Sequence, residues 1–113
     1  MTSPAGCEHP AVTSDAQRLA TRISDATLAV HDVLTIYLGE RLGLYDDLGR
    51  HGPSTAAELA ARTGTHARYV REWLEQQATA EVLGCADPAA PPEERRFFLS
   101  PASAEVLTDR ESL

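Results

Sequence analysis

The sequence predicts a mainly α-helical chain: a winged helix-turn-helix with a small two-stranded β-wing and an N-terminal helical extension. Three observations carry that prediction. "TAAELAARTGTHARYVREWLEQQA" holds two short amphipathic helical stretches joined through Gly64. "VLGCAD" and "RRFFLS" follow as the two strands of a hairpin. A long apolar-rich helical stretch, residues 14–50, comes before them.

Residues 1–13 are rich in Pro, Ser, Thr, Ala and Gly and read as a disordered tail. Helical spacing starts at Ser14 or Asp15, either of which can cap. Ala16, Leu19, Ala20 and Ile23 then fall one helical face apart. In "DATLAVHDVLTIYLGERLGLYDDL" the apolar residues spread around the whole helix. Such a helix must be covered nearly all round, and 113 residues offer little cover. A second copy of the chain or a further domain is therefore expected on 14–50. A homodimer through Leu28, Val33, Ile36 and Tyr37, centred on the last three, is the leading expectation. Gly39 and Gly43 mark a break or a close approach of helices. His31, on this apolar stretch, reads as a hydrogen-bonded interface residue, and His51 as a turn residue without a partner.

The winged module is read over 51–100. Thr55 and Glu58 form a T-x-x-E capping box before "LAAR". Gly64 closes that helix, since glycine enters the left-handed region cheaply. Thr65 is expected to cap the next helix, about His66 to Thr79, whose inward face is Tyr69 or Val70, then Trp73, Leu74 and Gln77 or Ala78. In the hairpin, Phe97 and Leu99 share a face and Phe98 takes the other. "PAAPPEE" between the strands is a loop, because proline removes ladder donors. Ser100–Pro101 starts a last helix, with proline where no N–H is needed; it belongs to 101–113.

Charge narrows the function. The net charge is −7, all ten basic residues are arginine, and lysine is absent. Nucleic acid and anionic membrane both select clustered positive charge, so the composition argues against both as partners. The outer face of the second short helix carries Arg68 and Arg71 beside Glu72 and Glu75, four apart and able to pair. From Ser54 to Leu99 there are five arginines and seven acids, a net charge of −2. A DNA-binding alternative would place Arg68, Arg71, Arg95 and Arg96 on phosphates. Catalytic motifs are missing: no G-x-G-x-x-G, no phosphate-loop lysine, no H-E-x-x-H, no G-x-S-x-G and no C-x-x-C. No catalytic, cofactor-binding or metal residue is assigned. Cys7 and His9 make half a metal site at most. Two cysteines are too few for a disulfide framework, and both read as reduced. "MTSPAGCEHPAVTSD" is no secretory signal, and no apolar run reaches a membrane span, so a cytoplasmic location is expected.

"LGLYDDL", "TAAELAARTG", "RYVREWLEQQA", a hairpin ending "FFLSP" and "AEVLTD" together resemble one family over about Thr27 to Asp109. It is the N-terminal winged-helix domain of bacterial class I S-adenosylmethionine-dependent methyltransferases. The resemblance implies a module that dimerises through its front helices and helps cover the pocket of a small-molecule methyl acceptor. It also implies a Rossmann-like catalytic domain downstream of 101–113. S-adenosylmethionine is then expected in a full-length protein, with no cofactor in 1–113. Glu81 departs from the family pattern, which has glycine or a small residue at the turn after the second short helix.

Overall fold

The computed structural model describes residues 3–108, with side chains described from Ser14 to Thr108. Helix α1 spans Ser3–Arg41, α2 Leu44–His51, α3 Ala56–Thr63 and α4 Ala67–Thr79. Strand β1 is Gly84–Cys85, a 3-10 turn covers Pro92–Glu94, β2 is Phe97–Phe98, and α5 is Pro101–Thr108. The mainly α winged helix-turn-helix read from the sequence is the fold observed.

The chain forms two compact units, Met1–Val33 and Leu34–Leu113. Ile36, Leu44, Tyr45 and Leu48 belong to the second unit and pack with its winged-helix residues. The described residues of the first unit are helical throughout, and its side chains from Asp15 to His31 are exposed. α1 also starts at Ser3, inside the stretch expected to be disordered. Pro4 falls in its first turn, where a missing N–H costs nothing.

In the second unit α1 ends at a corner. Gly43 takes φ 73°, its N–H donates to the Glu40 carbonyl, and its own carbonyl accepts from Asp47 N–H as α2 begins. Only a residue without Cβ makes that left-handed step freely. Gly39 remains helical and marks a close approach instead: Trp73 and Tyr45 pack where its Cβ would be. The two glycines thus do different work. Of the two glycines expected to mark a break or a close approach, Gly43 makes the break.

The core is Leu44, Tyr45, Leu48, Ala56, Leu59, Ala60, Val70, Trp73, Leu74, Leu83 and Phe97. Thr55 and Glu58 form the expected capping box, at 2.9 and 3.2 Å. His66, rather than Thr65, caps α4: its Nδ1 accepts from Arg68 N–H at 3.3 Å. Thr65 is already engaged by the Thr63 hydroxyl at 2.7 Å. Val70, not Tyr69, takes the inward position, and Tyr69 is exposed.

The wing is smaller than "VLGCAD" and "RRFFLS" suggest. Gly84 pairs with Phe98 and Cys85 with Phe97, antiparallel. Ser54 adds an antiparallel bridge to Phe97, exchanging N–H···O bonds of 3.0 and 2.9 Å. This bridge ties the turn before α3 to the wing. Phe97 is fully buried, with Leu99 against the same core. α5 starts at Pro101 as expected, its first turn capped by the Ser100 hydroxyl, and packs against α2.

Candidate functional site

Three surfaces hold the residues singled out by sequence. The first is the apolar exterior of α1. Leu28, Val33 and Tyr37 are exposed, at 61, 64 and 57 % of their full area. Ile36 is not with them: it is half-buried against the winged-helix core. It sits on the turn of α1 that packs against the winged-helix core. Leu19, Ile23, Val30, Leu34, Leu38 and Leu42 are also exposed. His31 is exposed among them. The Arg41 guanidinium lies 5.9 Å from the Tyr37 ring centre, a cation–π distance.

The second is the outer face of α4 with the wing. Arg68 and Arg71 are exposed and share a shallow hollow with Ala56, Ala57, Ala67 and Glu93. The expected Arg71–Glu75 pair does not form, because Glu75 is taken by the wing: Arg95 meets its Oε2 at 2.9 Å and also donates to the Ala90 carbonyl at 3.0 Å. Arg96 reaches Glu58 Oε1 at 2.9 Å. Both wing arginines thus pair within the chain, Arg95 with α4 and, at the surface, Arg96 with α3. Two of the four supposed phosphate contacts are tied down, and the other two face an acid.

Glu58 is the hub of that second tie. Its carboxylate accepts from Thr55 N–H and from Arg96, and these contacts, the backbone bond first, hold it below the usual carboxylate range. A parallel cluster joins α2 to α3. Arg62 donates to Asp47 at 2.8 Å and to the Ser54 hydroxyl at 2.6 Å. His51, expected to be without a partner, has its Nδ1 3.1 Å from the Asp47 carbonyl and 3.5 Å from Asp47 Oδ2.

The third is an open cleft of about 540 Å³ between the end of α4 and the wing. Thr79, Glu81, Cys85, Phe98 and the Glu75–Arg95 pair line it. Cys85 is a free thiol, and no histidine stands in the cleft to act as its base. Glu81 closes α4 in the left-handed region, φ 63°. Glu81 N–H donates to the Ala78 carbonyl and Val82 N–H to that of Gln77, at 3.1 and 2.9 Å. This is a helix stop usually given to glycine.

Sequence reading missed a buried polar cluster behind α4. Gln77 is fully buried, accepts from the Tyr45 hydroxyl and donates to the Thr35 hydroxyl at 3.3 Å. Trp73 Nε1 donates to the Thr35 carbonyl at 2.9 Å. Burial pushes the Tyr45 phenol up, so it stays protonated as the donor. The cluster fastens the last turns of α1 to α4. It positions structure; no reacting group stands in it.

Cys7 and His9 lie outside the described side chains, and among the described residues no His, Cys, Asp or Glu group suits a metal ion. No helix among them is long and apolar enough to cross a membrane.

Several solved structures share this fold. The mitomycin 7-O-methyltransferase MmcR is 26 % identical with a TM-score of 0.70, covering 86 % of this chain and 27 % of its own. The N,N-8-amino-8-demethyl-D-riboflavin dimethyltransferase RosA from Streptomyces davawensis is 30 % identical with a TM-score of 0.59, covering 73 and 22 %. Human N-acetylserotonin methyltransferase, solved with SAM, is 19 % identical with a TM-score of 0.64, covering 82 and 25 %, a likeness of fold alone. The chain spans about a quarter of the length of these enzymes. No curated protein is matched by sequence. The resemblance to N-terminal winged-helix domains of S-adenosylmethionine-dependent methyltransferases therefore holds in three dimensions. A family model, the Rv2258c-like winged HTH domain, matches residues 29–109, which include the helix-turn-helix, the wing and α5. The chain belongs to the Rv2258c-like winged helix-turn-helix domain family.

Proposed function

We propose that this chain is the dimerisation and substrate-covering module of an S-adenosylmethionine-dependent methyltransferase and is not catalytic by itself. The observation that carries the reading is the exposed apolar surface of α1, on a fold shared with methyltransferases. Burying a large aliphatic side chain contributes roughly 1.5–3 kcal/mol. Leu19, Ile23, Val30 and Val33 are 49–64 % exposed, so these four side chains from each of two copies contribute on the order of the association cost of about 4–15 kcal/mol. S-adenosylmethionine and the small-molecule methyl acceptor belong to a full-length enzyme, where the module would wall the acceptor's pocket.

Sedimentation equilibrium tests this. The unmodified chain is expected to be a homodimer at tens of micromolar, and Val30→Glu a folded monomer, because a carboxylate would be stranded in an apolar contact. Glu72→Gln, on the solvated face of α4, should leave the dimer intact. A well-folded monomer for the unmodified chain would overturn the reading.

The DNA-binding alternative keeps only Arg68 and Arg71 as free cations among its four arginines. A mobility-shift titration is expected to show weak, sequence-independent binding that fades with salt. Nanomolar binding to one sequence, lost in Arg68→Ala and Arg71→Ala, would replace the methyltransferase reading.

A further inference from the structure

The described part of the first unit is helical without a break from Ser14 to Val33. On that continuous helix the apolar residues fall into a regular order. Ala16, Leu19, Ile23, Ala26, Val30 and Val33 are spaced three, four, three, four and three apart, and all are exposed. That is a heptad seam, the pattern by which one helix inserts its side chains between those of another. Leu28 lies on the opposite side of the helix from this seam.

The seam is self-complementary in one direction only. If two copies ran parallel and in register, each residue would meet itself. The Ala16 and Ala26 layers would be thin, and the Leu19 and Ile23 layers thick. If they run antiparallel, Ala16 faces the partner's Val33, Leu19 the partner's Val30 and Ile23 the partner's Ala26. Each small residue then opposes a larger one, which levels the layers and fills the space between the helices.

We propose that α1 pairs antiparallel with α1 of a second copy along Ala16, Leu19, Ile23, Ala26, Val30 and Val33. The proposal rests on the dimerisation reading above and adds the seam and its polarity.

Disulfide trapping decides it, in the full chain with Cys7→Ser and Cys85→Ser as background. Ala16→Cys, Val33→Cys and Leu28→Cys are made singly, and the first two are also refolded together so that mixed dimers form. Ala16 and Val33 are about 26 Å apart along the helix, while a disulfide needs Cα atoms within about 7 Å. Mild oxidation is expected to crosslink the Ala16→Cys and Val33→Cys mixture and none of the three variants alone. Ala16→Cys crosslinking with itself means parallel helices and overturns the proposal, as does Leu28→Cys crosslinking. No crosslink in a chain that still sediments as a dimer overturns the seam but leaves the dimer. A monomer in sedimentation overturns both.

Discussion

At Gly39 one hydrogen atom decides how close two helices come. A Cβ there would strike Trp73 Cζ2 and come within 2.7 Å of Tyr45 Cε2, both on side chains packed in the core. Neither ring has room to retreat, since Tyr45 and Trp73 already pack at 5.1 Å between centroids and both are hydrogen-bonded. Gly39→Ala is therefore expected to cost about 1–3 kcal/mol by overpacking, even though alanine is the better helix former. Urea denaturation of the two chains checks it; an unchanged or higher midpoint would mean that the rings yield. Glu81 is the opposite case, a side chain where glycine would sit more easily. Its left-handed backbone costs roughly 1 kcal/mol, and the sequence already marked the position as a departure from the family pattern. Glu81→Gly should raise stability by somewhat less than that, because glycine also gains freedom in the unfolded chain. Differential scanning calorimetry would read a higher Tm; a lower one would show that the Glu81 side chain supplies a contact worth more than the strain.

Among the elements, α3 is the most dependent on ionised side chains. Glu58 has its carboxylate held below the ordinary range by Thr55 N–H and Arg96. A depressed carboxyl stabilises the folded state above its unfolded pKa, and that stability is lost as pH falls through the folded value. The loss belongs to the acid side of the carboxylate range. Glu58→Gln keeps a capping amide but loses the charge. Its stability should fall less steeply than that of the unmodified chain on acidification below about pH 4.3, the usual glutamate value; parallel curves from chemical denaturation at stepped pH would refute this. The same element shows what the sequence made legible. Thr55, Glu58 and Gly64 name both ends of α3 because capping and left-handed closure are local chemistry. Pro101 after Ser100 names α5 for the same reason. The cap of α4 went to His66 instead of Thr65 because Thr63 had claimed the threonine hydroxyl, a competition within a part-buried turn that spacing does not reveal. The strands are two residues each, and Ser54, distant in sequence, bridges Phe97 on the edge away from β1. Of the candidate sites, exposure of Leu28, Val33 and Tyr37 was legible from apolar surplus. The burial of Ile36 and the capture of Arg95 and Arg96 by Glu75 and Glu58 depend on partners on other elements.

For the whole molecule, the division at Val33 and Leu34 sets two kinds of stability in one chain. Residues 34–108 contain the described core, the caps and the ion pairs that close on one another. The helix before them shows exposed side chains from Asp15 to His31 and, in water, has little beyond its own backbone to sustain it. A core inside one chain does not sense how many other chains are present, whereas a contact between chains does. The two units should thus keep different clocks in deuterated solvent. Amides of α4 are expected to exchange at a rate fixed by the fold and indifferent to dilution. Those between Leu19 and Val33 should exchange slowly in a concentrated sample and progressively faster as the protein is diluted through its dissociation constant. Mass spectrometry of exchange at two concentrations would see this directly, and uniform exchange along both units would contradict it. The protein would then carry, in a single helix, a segment whose order reports the local abundance of its own kind.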